Sequence, residues 1–135
     1  MVDNAWCVDA ACSGNPGQME YRGVDLATGR QVFHFGPIWG TNNIGEFLAI
    51  VHAAALMQKK GITDYAIYSD SISALAWVRN KRAKTQLERT EKTEQVHLLI
   101  ARAEKWLREN SKMMPNIQKW DTKEYGEIPA DFGRK

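Results

Sequence analysis

Hydrophobic residues along the chain follow two periods, and these periods predict the secondary structure. Short apolar or β-branched runs predict strands at 5–9, 19–25, 31–35, 65–68 and 117–120. Apolar residues at helical spacing predict helices at 41–60, 72–78 and 90–110. Pro129 suits the first position of a short last helix. The order β-β-β-α-β-α-α-β-α predicts an α/β fold, in which helices cover a mixed sheet with three antiparallel strands and further parallel strands.

Turn and capping residues separate these elements. Gly, Asn and Pro at 14–17 predict a tight turn after the first strand, and the loop 27–30 predicts a hairpin. Pro37 and its neighbours are expected to end the third strand. Thr41 and the asparagines after it are candidate caps of the first long helix, and Gly61 marks its end.

Acidic residues stand at the ends of several predicted elements. Asp9 ends a buried strand, so it is either a satisfied structural acid or part of a cation site. Glu46 could serve only the helix dipole, and Asp70 could merely assist a helix cap formed by Ser71. If the last turn is helical, Glu127 lies on the same side as Asp131.

These acids are expected to converge. Asp9 and Asp70 end two strands that can be parallel neighbours, and Glu46 and Asp131 can close over them from helices. Four carboxylates fit a site for two Mg²⁺ ions about 3.5 to 4 Å apart, with a substrate phosphate completing the coordination. The sequence therefore predicts a two-metal site.

Length and composition narrow the class of protein. The 135 residues predict one domain spanning 1–135, and 44% hydrophobic with 25% charged residues is typical of a globular protein. No apolar run is long enough to span a membrane and no signal peptide is evident, so we expect a cytoplasmic protein. Cys7 and Cys12 are too few for a disulfide framework and are interpreted as small semi-buried thiols.

The net charge of +2 hides an uneven distribution. Residues 1–70 hold four Lys or Arg against seven Asp or Glu, whereas residues 71–135 hold fourteen against nine. The basic excess gathers at 79–89 and recurs at Arg134 and Lys135. A basic segment beside an acidic site suits an enzyme that acts on a phosphodiester polymer, although a solvated helix face would look the same.

Four motifs resemble those of the ribonuclease H type 1 family along nearly the whole chain. DAACSGNPG is similar to the family's first-strand motif, GTNNIGEFLAI to its helix opening, and IYSDSISALAWV to its second catalytic strand and following helix. The tail KWDTKEYGEIPADFGRK resembles that of the bacterial branch, which lacks the His-bearing loop. The resemblance implies a ribonuclease H-like fold with a five-stranded sheet. It also implies an endonuclease that cuts the RNA strand of RNA/DNA hybrids and leaves 5′-phosphate and 3′-hydroxyl ends.

The resemblance assigns roles to individual residues. It implies that Asp9, Glu46, Asp70 and Asp131 hold two Mg²⁺ ions, for which Mn²⁺ can substitute, and that Glu127 is an extra catalytic acid that helps product release. Substrate contacts to the hybrid are implied for a larger set, namely Cys12, Gly14, Asn15, Thr41, Asn42, Asn43, Ser71, Trp77, Thr85 and Thr122. Ile72 departs from the family, which often has Gln there, so we expect weaker or less selective hybrid binding. A monomer without membrane contact is expected.

Three other functions remain open. A nuclease or integrase of the same fold could act on DNA alone, but the SGNPG turn and the TNN segment resemble hybrid-reading features. A non-catalytic hybrid-binding module should have lost at least one acid, and here none is lost. A structural Ca²⁺-binding domain would need closely spaced ligands in one loop, which the sequence lacks.

Overall fold

A five-stranded mixed sheet forms the centre of the structure, a computed structural model that describes residues 4–133. The spatial order is β3-β2-β1-β4-β5. The first three strands are antiparallel, whereas β4 runs parallel to both β1 and β5. The strands are β1 (Ala5–Gly14), β2 (Gly17–Asp25), β3 (Gln31–Gly40), β4 (Ala66–Ser69) and β5 (Asn116–Lys119). The α/β fold predicted from the sequence is confirmed.

Four α-helices and one short 3-10 helix connect and cover the strands. Thr41 caps α1 by accepting a hydrogen bond from the Ile44 N–H, and Ser71 caps α2 in the same way through the Ala74 N–H. Gly61 ends α1 in the left-handed conformation, as the sequence predicts. The helices are α1 (Asn42–Lys60), α2 (Ile72–Asn80), α3 (Glu94–Glu109) and α4 (Thr122–Tyr125), with the 3-10 helix at Ser111–Met113.

Each face of the sheet has its own hydrophobic core. The larger core lies under α1, α2 and α3 and includes Val8, Phe47 and Ile67. The smaller core lies on the opposite face, where Cys7 of β1 packs with Trp120 and other residues of the C-terminal segment. Because successive side chains of a strand point to opposite faces, Asp9 belongs to the same face as Cys7.

Several boundaries differ from the sequence prediction, most clearly the end of β3 and the start of α3. β3 runs through Pro37 to Gly40, which an edge strand allows because its outer side needs no backbone donor. α3 begins at Glu94 rather than at residue 90, because Thr90–Thr93 form a turn closed by the Thr93 hydroxyl.

The helix predicted from Pro129 is wrong. Asp121 accepts a hydrogen bond from the Glu124 N–H and so caps a helix that ends at Tyr125. The Asp131 N–H donates to the Ile128 carbonyl, which makes residues 128–131 a turn.

None of the helices within residues 4–133 combines the length and the apolar character needed to cross a membrane.

Candidate metal centre and nucleic-acid interface

Three carboxylates converge where β1 and β4 part. Val8 of β1 is paired with Ser69 of β4, so Asp9 and Asp70, the next residues, emerge side by side. Glu46 approaches them from α1. One carboxylate oxygen of each acid lies within 4.8 Å of the others. The convergence of these three acids, expected from the sequence, is present in the structure.

Close packing of α1 on β1 brings Glu46 to this place. Gly45 lies so near the sheet that a Cβ there would stand 2.8 Å from the Ala10 Cβ and 2.9 Å from the Met19 sulfur. β4 ends opposite Val8, so β1 has no neighbouring strand on that side beyond this point. There the Ala10 N–H donates to Glu46 Oε1 at 3.0 Å, which fixes the carboxylate against the strand.

The donor set fits a hard divalent cation. Asp9 and Glu46 are 0% and 1% exposed, and Asp70 is half-buried, so the site is open to solvent on one side only. Oxygens at opposite sides of a Mg²⁺ ion lie about 4.2 Å apart, because each Mg–O bond is about 2.1 Å. Two buried carboxylates and a half-buried one repel one another, and a divalent cation offsets that repulsion. The cluster can therefore hold a metal ion, with Asp70 on its more exposed side.

Arg22 holds the backbone of Asp131 on one face of the sheet. Arg22 is the cross-strand partner of Asp9. Its guanidinium donates to the Ala130 carbonyl at 2.8 Å and to the Asp131 carbonyl at 2.7 Å, and it lies 4.8 Å from the centre of the Phe132 ring. Asp131 thus lies on the face of the sheet that carries Asp9, but its side chain is not part of the three-acid group.

The structure does not bring Glu127 into the group. Glu127 is exposed in a bend after α4 and is not helical, so the predicted i, i+4 relation to Asp131 does not hold. Its role stays a prediction.

The sequence interpretation missed Arg22. A signal was available, since Arg22 is the one basic residue before Gly29 and stands in a strand whose exposed positions alternate with buried ones. What the sequence does not show is that Arg22 faces a segment more than a hundred positions away.

The turn between β1 and β2 is tied to the start of α1, where several predicted substrate contacts gather. Asn15 Oδ1 accepts a hydrogen bond from the Asn42 N–H at 2.9 Å. The Cys12 thiol donates to the carbonyls of Gly14 and Gly40. Asn43 is exposed beside the cap residue Thr41. The turn and the three asparagines therefore lie on one surface.

The remaining predicted contacts lie further along the chain. Ser71 and Thr85 use their hydroxyls to accept hydrogen bonds from the Ala74 and Leu87 N–H groups. Trp77 is half-buried with its ring edge-on to Phe47, and Thr122 is the exposed first residue of α4. Ile72 is 73% exposed, which is unusual for a large apolar side chain.

The two thiols are not part of the three-acid group. Burial raises the pKa of Cys7 to about 12, and the nearby Asp9 charge adds to the effect. Burial also raises the pKa of Cys12.

The fold is shared with known proteins at low sequence identity. No protein-family model matches the sequence. The RNase H1 of the halophilic archaeon Halobacterium salinarum NRC-1 matches with a TM-score of 0.54 and 20% identity, over 89% of this chain and 86% of that chain. The N-terminal RNase H domain of a Mycobacterium tuberculosis protein, solved as a fusion with maltose-binding protein, has a TM-score of 0.51 and 14% identity, over 87% and 86%. The PFV RNase H domain matches with a TM-score of 0.50 and 13% identity, over 96% of this chain and 84% of that chain. The chain thus has the ribonuclease H-like fold.

Proposed function

We propose that this protein is a ribonuclease H that hydrolyses the RNA strand of RNA/DNA hybrids and leaves 5′-phosphate and 3′-hydroxyl ends. The observation that carries the proposal is the group of Asp9, Glu46 and Asp70 in a ribonuclease H-like fold. The motifs that resemble ribonuclease H type 1 support the same conclusion, including the bacterial-type tail, of which Arg134 and Lys135 lie outside the described residues. Residues 1–135 would act as one catalytic domain.

The acids would hold two Mg²⁺ ions, with Mn²⁺ able to replace them. Asp9 and Asp70 would offer oxygens from the point where β4 ends beside β1, and Glu46 would keep its position through the Ala10 N–H. Arg22 would keep Asp131 at the edge of the site by holding its carbonyl. Two ions in such a site lower the pKa of the attacking water and offset the charge on the leaving 3′ oxygen. Glu127, which is exposed after α4, would assist product release.

Hybrid recognition would use the surface formed by the β1–β2 turn and the start of α1. RNA differs from DNA by its 2′-hydroxyl, which both donates and accepts hydrogen bonds. Gly14, Asn15 and Asn43 offer exposed backbone and amide groups of both kinds. Thr41 and Thr85 would bind a phosphate of the DNA strand, and Trp77 would pack on a deoxyribose.

Cleavage of a labelled RNA/DNA hybrid in Mg²⁺ tests the proposal, beside RNA/RNA and DNA/DNA duplexes. Asp70→Asn removes a cluster charge with little change of shape, and Asp64→Asn, at an exposed position before β4, is the matched control. We expect hybrid-only cutting that Asp70→Asn reduces by at least about a hundredfold and Asp64→Asn leaves unchanged. Tight hybrid binding without cutting would favour the non-catalytic module, and cutting of DNA/DNA would favour a DNA nuclease of the same fold.

A further inference from the structure

Trp39 and Lys92 form a pair outside the predicted site that no motif explains. The Lys92 ammonium lies 3.6 Å from the centre of the Trp39 ring, a cation–π contact. Trp39 is half-buried near the end of β3, and Lys92 is exposed just before α3. The ring therefore holds a flexible, charged side chain in one place.

The Trp39 side chain points to the sheet face that carries Asp9, and Lys92 reaches its ring from the segment before α3. Asp9 and Ser13 are four residues apart on β1 and thus share a face. Ser13 is paired with Gln18 on β2, and Gln18 is paired with Trp39 on β3, so all three side chains point the same way. By strand geometry Trp39 is about 14 Å along and about 10 Å across the sheet from Asp9. A duplex carries a phosphate about every 3.4 Å of helix axis on each strand, so a duplex lying on this face also has backbone phosphates at that distance from the acids.

The backbone around Lys92 is fixed. The buried Thr93 hydroxyl donates to the Glu88 carbonyl and accepts from the Thr90 N–H. One turn further on, Val96 packs against Gly40 of β3. Lys92 is thereby held beside the residues that precede α1.

The charge of Lys92 is available to a ligand. Within residues 4–133 Lys92 forms no ion pair, whereas the nearby Glu94 is already paired with Arg89 at 2.9 Å. The first turn of α1, next in the chain after β3, has no acidic residue. Lys92 can therefore offer its ammonium to an anion while it stays against the Trp39 ring.

We infer that Lys92, positioned by Trp39, binds a backbone phosphate of the DNA strand when the RNA strand lies at the acidic cluster. The inference rests on the proposed function, because it needs a hybrid placed with its RNA at Asp9 and Asp70. With Lys92, the hybrid-binding surface would extend from the start of α1 to the end of β3 at Trp39. Trp39 acts as a positioning residue through the cation–π contact.

The salt dependence of hybrid binding, measured with non-cleaving Asp70→Asn protein, tests this inference. Each lost phosphate contact lowers the slope of log K against log salt by about 0.9. We expect the slope to fall by this amount for Lys92→Gln and by a smaller amount for Trp39→Leu. For Trp39→Phe we expect the slope of the parent protein, because a phenylalanine ring also attracts a cation. Lys105→Gln, which removes an exposed charge elsewhere on α3, should leave the slope unchanged.

Hybrids with one neutral methylphosphonate at successive positions of either strand locate the contact. Among the DNA positions that weaken binding of the parent protein, one should no longer affect the binding of Lys92→Gln. An unchanged slope for Lys92→Gln, an equal slope change for Lys105→Gln, or a position on the RNA strand whose effect depends on Lys92 would overturn the inference. Failure of the parent protein to bind hybrid at all would instead overturn the proposed function.

Discussion

A hydrogen bond from the Ala10 N–H holds the Glu46 carboxylate in the cluster of acids. Gln at this position keeps an oxygen that can accept from the Ala10 N–H, yet it removes one of three clustered charges. Without divalent ions we therefore expect Glu46→Gln to melt at the same or a higher temperature than the unaltered protein. Adding Mg²⁺ should stabilise the unaltered protein, by about 2.7 kcal/mol at a hundred times its Kd, and the variant much less.

Thermal melts in EDTA and in a Mg²⁺ series measure both effects. Glu104→Gln, on α3 and outside the cluster, serves as a control for the loss of one carboxylate. An equal Mg²⁺ response in all three proteins would show that Glu46 is not a ligand.

His52 is expected to make stability depend on pH. Its ring stacks on Phe33 at 4.3 Å, its Nδ1 lies 2.8 Å from the Tyr21 hydroxyl, and burial lowers its pKa. The unfolded chain then binds a proton more readily than the folded one, so stability falls as the pH drops below the ordinary histidine pKa of about 6.5. Melts of His52→Gln between about pH 7 and pH 5 should show a smaller loss than the unaltered protein, and an identical loss would contradict the assignment.

Sequence reasoning reached the three acids because the strands before Asp70 and around Asp9, and the helix that carries Glu46, could all be predicted. The parallel placement of β1 and β4 then brings Asp9 beside Asp70. The contacts of Arg22 could not be predicted from the sequence, because its partners, the Ala130 and Asp131 carbonyls, are backbone atoms in an irregular segment. No periodicity marks such a contact.

Among the secondary-structure elements, α1 is the one that sets the geometry of the site. Gly45→Ala would gain helix propensity but must push the Ala10 and Met19 side chains aside. We expect a net loss of about 1 to 3 kcal/mol in the free energy of unfolding, measured in urea, together with a weaker Mg²⁺ response because Glu46 moves with the helix.

Ala55→Gly is the matched variant for this test. It weakens α1 by about 1 kcal/mol through helix propensity alone, at a half-buried position away from the acids. Its Mg²⁺ response should be unchanged. If Gly45→Ala keeps the full response while losing stability, the close approach of α1 serves packing only.

Element boundaries were predictable where a side chain caps the backbone locally. Thr41 and Gly61 bound α1 through contacts within a few residues. The end of β3 was predicted too early, because a proline is tolerated in a strand at the sheet edge, and the edge position is a property of the whole sheet. The last helix was predicted at Pro129, but Asp121 starts a helix earlier and Gly126 ends it.

At the scale of the molecule, the basic segment after α2 should bind nucleic acid through phosphates. Replacing the exposed Arg79, Arg82 and Lys84 with Gln should lower the salt slope of hybrid binding by about 2 to 3, with kcat at saturating hybrid little changed. A variant with three exposed basic residues replaced elsewhere, Lys60, Lys105 and Lys112, removes the same net charge. Fluorescence anisotropy compares the two, and equal weakening would mean that only net charge matters.

The edges of the sheet also bear on how the protein behaves at high concentration. A sheet edge can recruit a second chain, because its backbone donors and acceptors form a template for another strand. β3 is the long edge here, and Pro37 interrupts its row of N–H donors. β5, at the other edge, offers only four residues. Neither edge supports a continuous intermolecular ladder, so we expect concentrated samples to resist fibrillar aggregation and remain monomeric in sedimentation experiments.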